Sequence, residues 1–263
     1  MGPKDVRAYI EFRQLTNVGP ATINRELGLL SAALNWAKRD LEWQLPNPVM
    51  GRRLRAPEGR LRWLSREKAD RLVAAARDLP RAKYLRDFLE IALHTGMRRG
   101  EILGLEWGRV DLTEGLIYLR GVDQKNGKLG SVPLNETAKA ALIRREQFRR
   151  EHCPNSGWVF AQKNGERIQS LKKAFAAACT AAGIEDFRIH DLRHCCAAWL
   201  VQAGVSIRAV AELLRHADIR ITMRYAHLSP ETVRAAVSVL DAESRFGHGA
   251  DSEKREKEVN ALN

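Results

Sequence analysis

The chain has 263 residues, of which 44% are hydrophobic, and its 44 Lys+Arg against 32 Asp+Glu give a formal net charge of +12. That hydrophobic fraction can build a core and excludes a wholly disordered chain, and the absence of any run of about 18 apolar residues excludes a spanning helix. The basic surplus points to a polyanionic partner, nucleic acid first and an anionic membrane surface second.

In chain order, the opening residues MGPKDVRAYIEF lack the apolar stretch of a signal peptide. Helical patterning is weak over Lys4 to Gln14 and strong over Ala21 to Arg39. In the latter, Ile23, Leu27, Leu30, Leu34 and Ala37 recur at helical spacing after Gly19-Pro20. Its other side carries Asn24, Arg25, Asn35 and Lys38. Leu45 to Trp63 is broken by Pro46, Pro48, Gly51, Pro57 and Gly59. It sets Arg52, Arg53, Arg55, Arg60 and Arg62 against the single acid Glu58. It reads as a basic linker, facing either solvent or nucleic acid.

Ser65 is placed to cap a helix from Arg66 to Arg77. Helices follow over Arg81 to His94 and Arg98 to Leu105. Strands over Gly115 to Arg120 and Leu129 to Leu134 flank Asn126-Gly127, a hairpin signal. Asn135 caps a helix to about Glu151, and Gly157 to Phe160 is a short strand. Further helices are expected over Gln169–Ala182, His190–Ala203, Ser206–Arg215, Asp218–His227 and Pro230–Ala242, before a polar tail. The fold class is mainly α with a small β-sheet, an α+β layout. The divisions are a helical piece over 1–50, a basic linker over 51–63, a main domain over 64–242 and a charged tail over 243–263.

The stretch HDLRHCCAAWL, His190 to Leu200, gathers histidines, an aspartate and two cysteines. At about 100° per residue, Cys195, Cys196, Trp199 and Ala203 fall on the side of Leu192, while His190, Arg193, His194 and Ala197 fall on the other. That separates the cysteines from the histidines as ligands of one ion. Adjacent cysteines on a helix also point apart, which disfavours a disulfide, so both read as small buried hydrophobes. His190 and His194 keep the i, i+4 spacing of a zinc helix. Asp191 stands where such a helix needs glutamate, however, and Arg193 adds a positive charge. An arginine beside a histidine suits a phosphate better than a metal. Four cysteines, two of them neighbours, do not form a disulfide framework. A reduced, cytoplasmic setting with no metal and no cofactor is expected.

Other cations stand at helix ends and turns. TGMRRGE places Arg98 just past a glycine with Glu101 three residues on, QKNGK puts Lys125 in the hairpin, LLRH ends in His216, and MRYAHL contains Tyr225. In this order the set resembles the tyrosine recombinase family, phage integrases in particular, from Arg60 to about Glu231. More loosely, ATINRELGLLSAALNWA resembles a helix of an integrase core-binding domain. The resemblance implies a site-specific recombinase that cleaves and rejoins DNA through a 3′-phosphotyrosyl intermediate, in integration or excision. Tyr225 would be the nucleophile, and Arg98 and Arg193 the clamp on the non-bridging oxygens. Lys125 would be the general acid, unless the hairpin register favours Lys128. His190 would assist proton transfer at the tyrosine, His216 would hold a phosphate oxygen, and Glu101 would order the pocket. Asn24, Arg25, Arg52, Arg53 and Arg55 are candidates for DNA contact.

The chemistry suits these residue types. Guanidiniums hold the charge gathering on phosphate oxygens. A phenol of pKa ~10 needs a base or a cationic field to ionise, and a leaving alkoxide needs a proton. The resemblance also implies double-stranded DNA as partner, a homotetramer on DNA and accessory DNA-bending proteins. The tetramer would exchange C-terminal segments, for which Glu231 to Leu240 is a candidate; an intramolecular cap is the equal alternative.

Two features depart from the family pattern. Arg215 stands where glycine usually precedes the histidine, crowding a tight bend. About 60 residues precede the catalytic region, a partial core-binding domain too small for the full clamp around DNA. A rival reading is therefore a truncated or degenerate DNA-binding remnant that no longer cuts. A zinc hydrolase is a third, lacking a third ligand.

Overall fold

The computed structural model describes residues 1–55, 59–121, 130–229 and 237–238. They fall into two compact units, Met1–Arg60 and Leu61–Asn263. The first unit is built on helices α1 (Pro3–Leu15) and α2 (Pro20–Asp40), each opened by a proline whose missing N–H costs nothing in the first turn. Val6 and Ile10 meet Ile23, Leu27 and Val49 in a small core of its own. Asn24 fastens the returning chain: its side chain donates to Leu54 O and accepts from Leu54 N, both at 2.8 Å.

The second unit is assembled around α4 (Tyr84–Thr95), which is flanked by α3 (Arg66–Arg77), α6 (Glu136–His152) and α8 (Asp191–Gln202). Leu85, Phe88, Leu89 and Ile91 of α4 are fully buried, and Phe88 meets Phe160 edge-on at 5.9 Å between centroids. Ser65 and Asn135 cap α3 and α6 as their positions predict. After α5 (Arg99–Leu103) comes an antiparallel sheet in the order β1 (Val110–Asp111), β2 (Leu116–Leu119), β3 (Gly130–Pro133). Ile117 pairs with Val132 and both join the core. The remaining helices are α7 (Lys172–Ala181), α9 (Ile207–Leu213) and α10 (Arg220–Met223). Among the described residues no helix is long and apolar enough to cross a membrane.

Two expectations differ from what is found, and one strand was not anticipated. Strand β1, two residues long, is too short to carry a pattern. Gly157–Phe160 forms no ladder, only an isolated bridge from Trp158 to Glu106. The helix expected over Asp218–His227 breaks into α10 and a 3-10 turn, Ala226–Leu228, with Tyr225 between them. The break lets the Tyr225 ring enter a second apolar cluster with Ala197, Val201, Val210 and Leu214. The hairpin turn with Lys125 and Lys128 lies outside the described residues. So do the 243–263 tail and, apart from helical Val237 and Ser238, the Pro230–Ala242 helix and its Glu231 to Leu240 segment.

Candidate active site

Helix α8 has no open face at Arg193. Leu192, Cys195 and Trp199 enter the main core while Ala197, Ala198 and Val201 enter the second cluster. The helix is thus wrapped on nearly all sides, and Arg193, expected on the solvent side with His190, is 4% exposed. Its Nη1 donates to Gly96 O at 2.5 Å and its Nη2 to Leu214 O. One guanidinium therefore joins the loop between α4 and α5 to the loop after α9, using two of its five N–H donors. Burial, then the charges of Arg98 and Arg215, push its pKa down to about 9, so it stays cationic at neutral pH.

The α4–α5 loop is tight. Gly96 closes α4 in the left-handed conformation, φ +61°. A Cβ there would lie 2.4 Å from Leu214 Cδ2 and 3.3 Å from Cys196 Sγ. Gly96→Ala is expected to cost about 2–4 kcal/mol, from overpacking plus a left-handed side chain; urea denaturation measures it. Arg98 then opens α5. Its backbone N–H donates to Glu101 Oε2 at 2.8 Å and its Nη1 to Glu101 Oε1 at 2.7 Å. Burial alone would raise the Glu101 pKa, but Arg215 and then Arg98 hold it below the usual value.

The nucleophile expected from the sequence is 2% exposed, and burial pushes its phenol up to about 12. The Tyr225 hydroxyl hydrogen-bonds Nδ1 of His194. His190, expected to serve the tyrosine, is exposed and lies edge-on to His194 at 5.2 Å between ring centroids. Sequence reasoning left His194 without chemistry; its signal was the i, i+4 spacing that puts it one turn beyond His190. His216 Nδ1 pairs with Oγ1 of fully buried Thr222 at 2.7 Å. Burial is the main cause that depresses His194 and His216 to about 4, with Arg193 and Arg98 next for His216 and His190 next for His194.

This has a consequence for stability. Between pH 6.5 and about 4 the unfolded chain binds protons at these two positions and the folded chain does not. Stability is therefore expected to fall as pH drops through that window and to level off, for this pair, below it. Melting curves of the wild type and of His216→Gln across the window check the sign: the variant should lose less.

Arg98, Arg193, Glu101, His216 and Tyr225 thus come from four separate segments into one cationic cluster. Residues 62–232 match the family model described as the phage integrase family. The chain belongs to the phage integrase family. It is 32% identical over 257 residues to the integrase of Salmonella phage P22, covering 92% of this chain and 62% of that one. It is also 32% identical over 249 residues to the shufflon-specific DNA recombinase of Escherichia coli, covering 92% and 59%. The chain therefore spans less than two thirds of either relative's length. Its fold resembles that of the Tn1549 transposon integrase, solved with a circular intermediate DNA, at a TM-score of 0.74 and 20% identity, over 91% of this chain and 85% of that one.

Other sequence candidates sit differently in this phage integrase family member. All four cysteines are buried and free, and burial raises the Cys195 and Cys196 thiols to about 12 and 11. They are packing, and Cys195 Sγ accepts from Leu64 N at 3.2 Å. Among the described residues no group of three or more side chains is arranged for a metal. Of the residues marked for DNA contact, Arg25, Arg53 and Arg55 are exposed, while Arg52 donates to Pro48 O at 2.7 Å. The Asn24 amide is spent on Leu54.

Proposed function

We propose that the protein cleaves and rejoins double-stranded DNA as a site-specific recombinase, with Tyr225 as nucleophile. The observation that carries this reading is the junction of the Tyr225 hydroxyl with His194, in a cluster whose phenol, histidines and carboxylate all feel Arg193, Arg98 or Arg215. The Tyr225 oxygen attacks a backbone phosphorus and passes its proton toward His194 Nδ1, which is neutral at physiological pH. A bond forms from the phenol oxygen to phosphorus, and the bond to the 5′ oxygen breaks. That oxygen takes a proton from a lysine, for which Lys125 is the candidate. The reverse steps rejoin strands without ATP, because the phosphotyrosyl ester stores the bond.

Arg98 and Arg193 face charge that grows as the phosphorus becomes five-coordinate, the condition under which fixed donors accelerate a step. Because Tyr225 is buried, attack requires the segment carrying it to shift once DNA is engaged. Kinship with phage integrases supports assembly as a homotetramer on paired DNA sites with accessory bending proteins, and a cytoplasmic setting, where DNA is found.

Nicked duplexes tiled from the DNA flanking the gene test the reading. The nick lets the short fragment that leaves with the free 5′ hydroxyl diffuse away and traps the adduct. A protein–DNA band that survives denaturation, absent with Tyr225→Phe, is the expected result. Binding to such duplexes with no band on any of them would favour the DNA-binding remnant instead.

A further inference from the structure

We infer that Arg215 is a positioning residue of the phosphate clamp, acting through Glu101 on Arg98; this rests on the cleavage reading above. Arg215 occupies the bend between α9 and His216, where the family usually has glycine. Its backbone is left-handed, φ +54°, a conformation side chains rarely adopt. A side chain held there needs a compensating interaction, and the structure contains one. Arg215 Nη2 meets Glu101 Oε2 at 2.7 Å, with the two side chains 8% and 2% exposed. The same Oε2 accepts from Arg98 N, and Oε1 from Arg98 Nη1. One carboxylate therefore fixes both the backbone and the guanidinium of Arg98, and Arg215 fixes the carboxylate.

The other end of Arg215 ties down the loop that bears the remaining parts. Its Nη1 donates to Leu213 O at 2.9 Å. The next carbonyl, Leu214 O, receives Arg193, and the next residue is His216. Arg215 thus joins Glu101, and through it Arg98, to the Leu213 carbonyl, one residue before the carbonyl that seats Arg193 and three before His216. Its Nε is buried without a hydrogen-bond partner among the described residues.

Charge points the same way. Arg98, Arg193 and Arg215 against Glu101 leave two positive charges. The five-coordinate phosphorus of a diester under attack carries two negative ones. Without Arg215 the excess falls to one, and Glu101 is shared by Arg98 alone.

The test measures the rate of covalent adduct formation on a nicked duplex at saturating DNA for wild type, Arg215→Gly and Arg215→Lys, with duplex affinity and melting temperature measured beside it. Arg215→Gly relieves the left-handed backbone, so it keeps the bend while deleting the ion pair. The expected result is a rate about tenfold to a hundredfold lower at saturation, the scale of a misplaced clamp. Affinity should change little, and Arg215→Lys should recover part of the rate. In a double-mutant cycle with Glu101→Gln, the second substitution should cost much less than the first. Wild-type rate in Arg215→Gly, a rate loss that only follows loss of folded protein, or additive effects in the cycle would each overturn the role of Arg215 while leaving the cleavage reading intact. No adduct from the wild type would overturn both.

Discussion

Tyr225→Phe should abolish the covalent adduct, a loss of about 10⁶-fold, the scale on which removal of a covalent nucleophile acts. The same substitution should also lower stability. The hydroxyl is the partner of His194 Nδ1 in a site that is almost closed to water. Deleting it leaves a desolvated imidazole nitrogen unpaired, at a cost of about 1–3 kcal/mol. A tyrosine merely lying on the surface would show neither effect. The pair of readouts therefore distinguishes a nucleophile held ready by a histidine from a ring that only packs. Adduct formation on the nicked duplex gives the first, and urea denaturation the second. An unchanged adduct yield in Tyr225→Phe would move the nucleophile elsewhere in the chain.

Arg193→Met should combine the other two large effects. Removing a guanidinium from a phosphate clamp costs about 10²–10³ in rate by the scale of a lost oxyanion donor. The structural effect has opposing parts. Burying the cation is expensive, which is why the Arg193 pKa falls to about 9, and methionine of similar length removes that cost. It also strands Gly96 O and Leu214 O, at about 1–3 kcal/mol for each buried group left unsatisfied. Two orphaned carbonyls outweigh the relief, so the net expectation is a loss of about 2 kcal/mol. Thermal melting should show it as a fall of several degrees for a unit of this size. Arg193→Lys should be little better for stability, since one ammonium cannot reproduce a fork that spans two loops. A variant as stable as wild type would mean that the carbonyls find other donors.

The sequence by itself determined the element types, most of their spans and the family. Its signals were local: Ser65 and Asn135 as caps, the heptad-like spacing of α2, the Asn126-Gly127 turn signal between β2 and β3, and short motifs in fixed order. Each depends on neighbours in the chain, so each can be read without the fold. It also determined that Cys195 and Cys196 pack, because a helical wheel separates them from the histidines.

What only the tertiary structure decided depends on contacts made across long stretches of chain. The wheel put Arg193 on an open face because a wheel knows one helix; loops more than 20 and almost 100 residues away cover that face and take its donors. It gave His190 and His194 to one side and could not say which of them meets Tyr225, since that depends on where α10 breaks and how its end folds back. Arg215 read as an awkward residue in a bend. Its partner, Glu101, lies 114 positions earlier, and only folding makes them a pair. A residue's propensity is set by its own atoms, whereas its role in a site is set by what the fold brings against it.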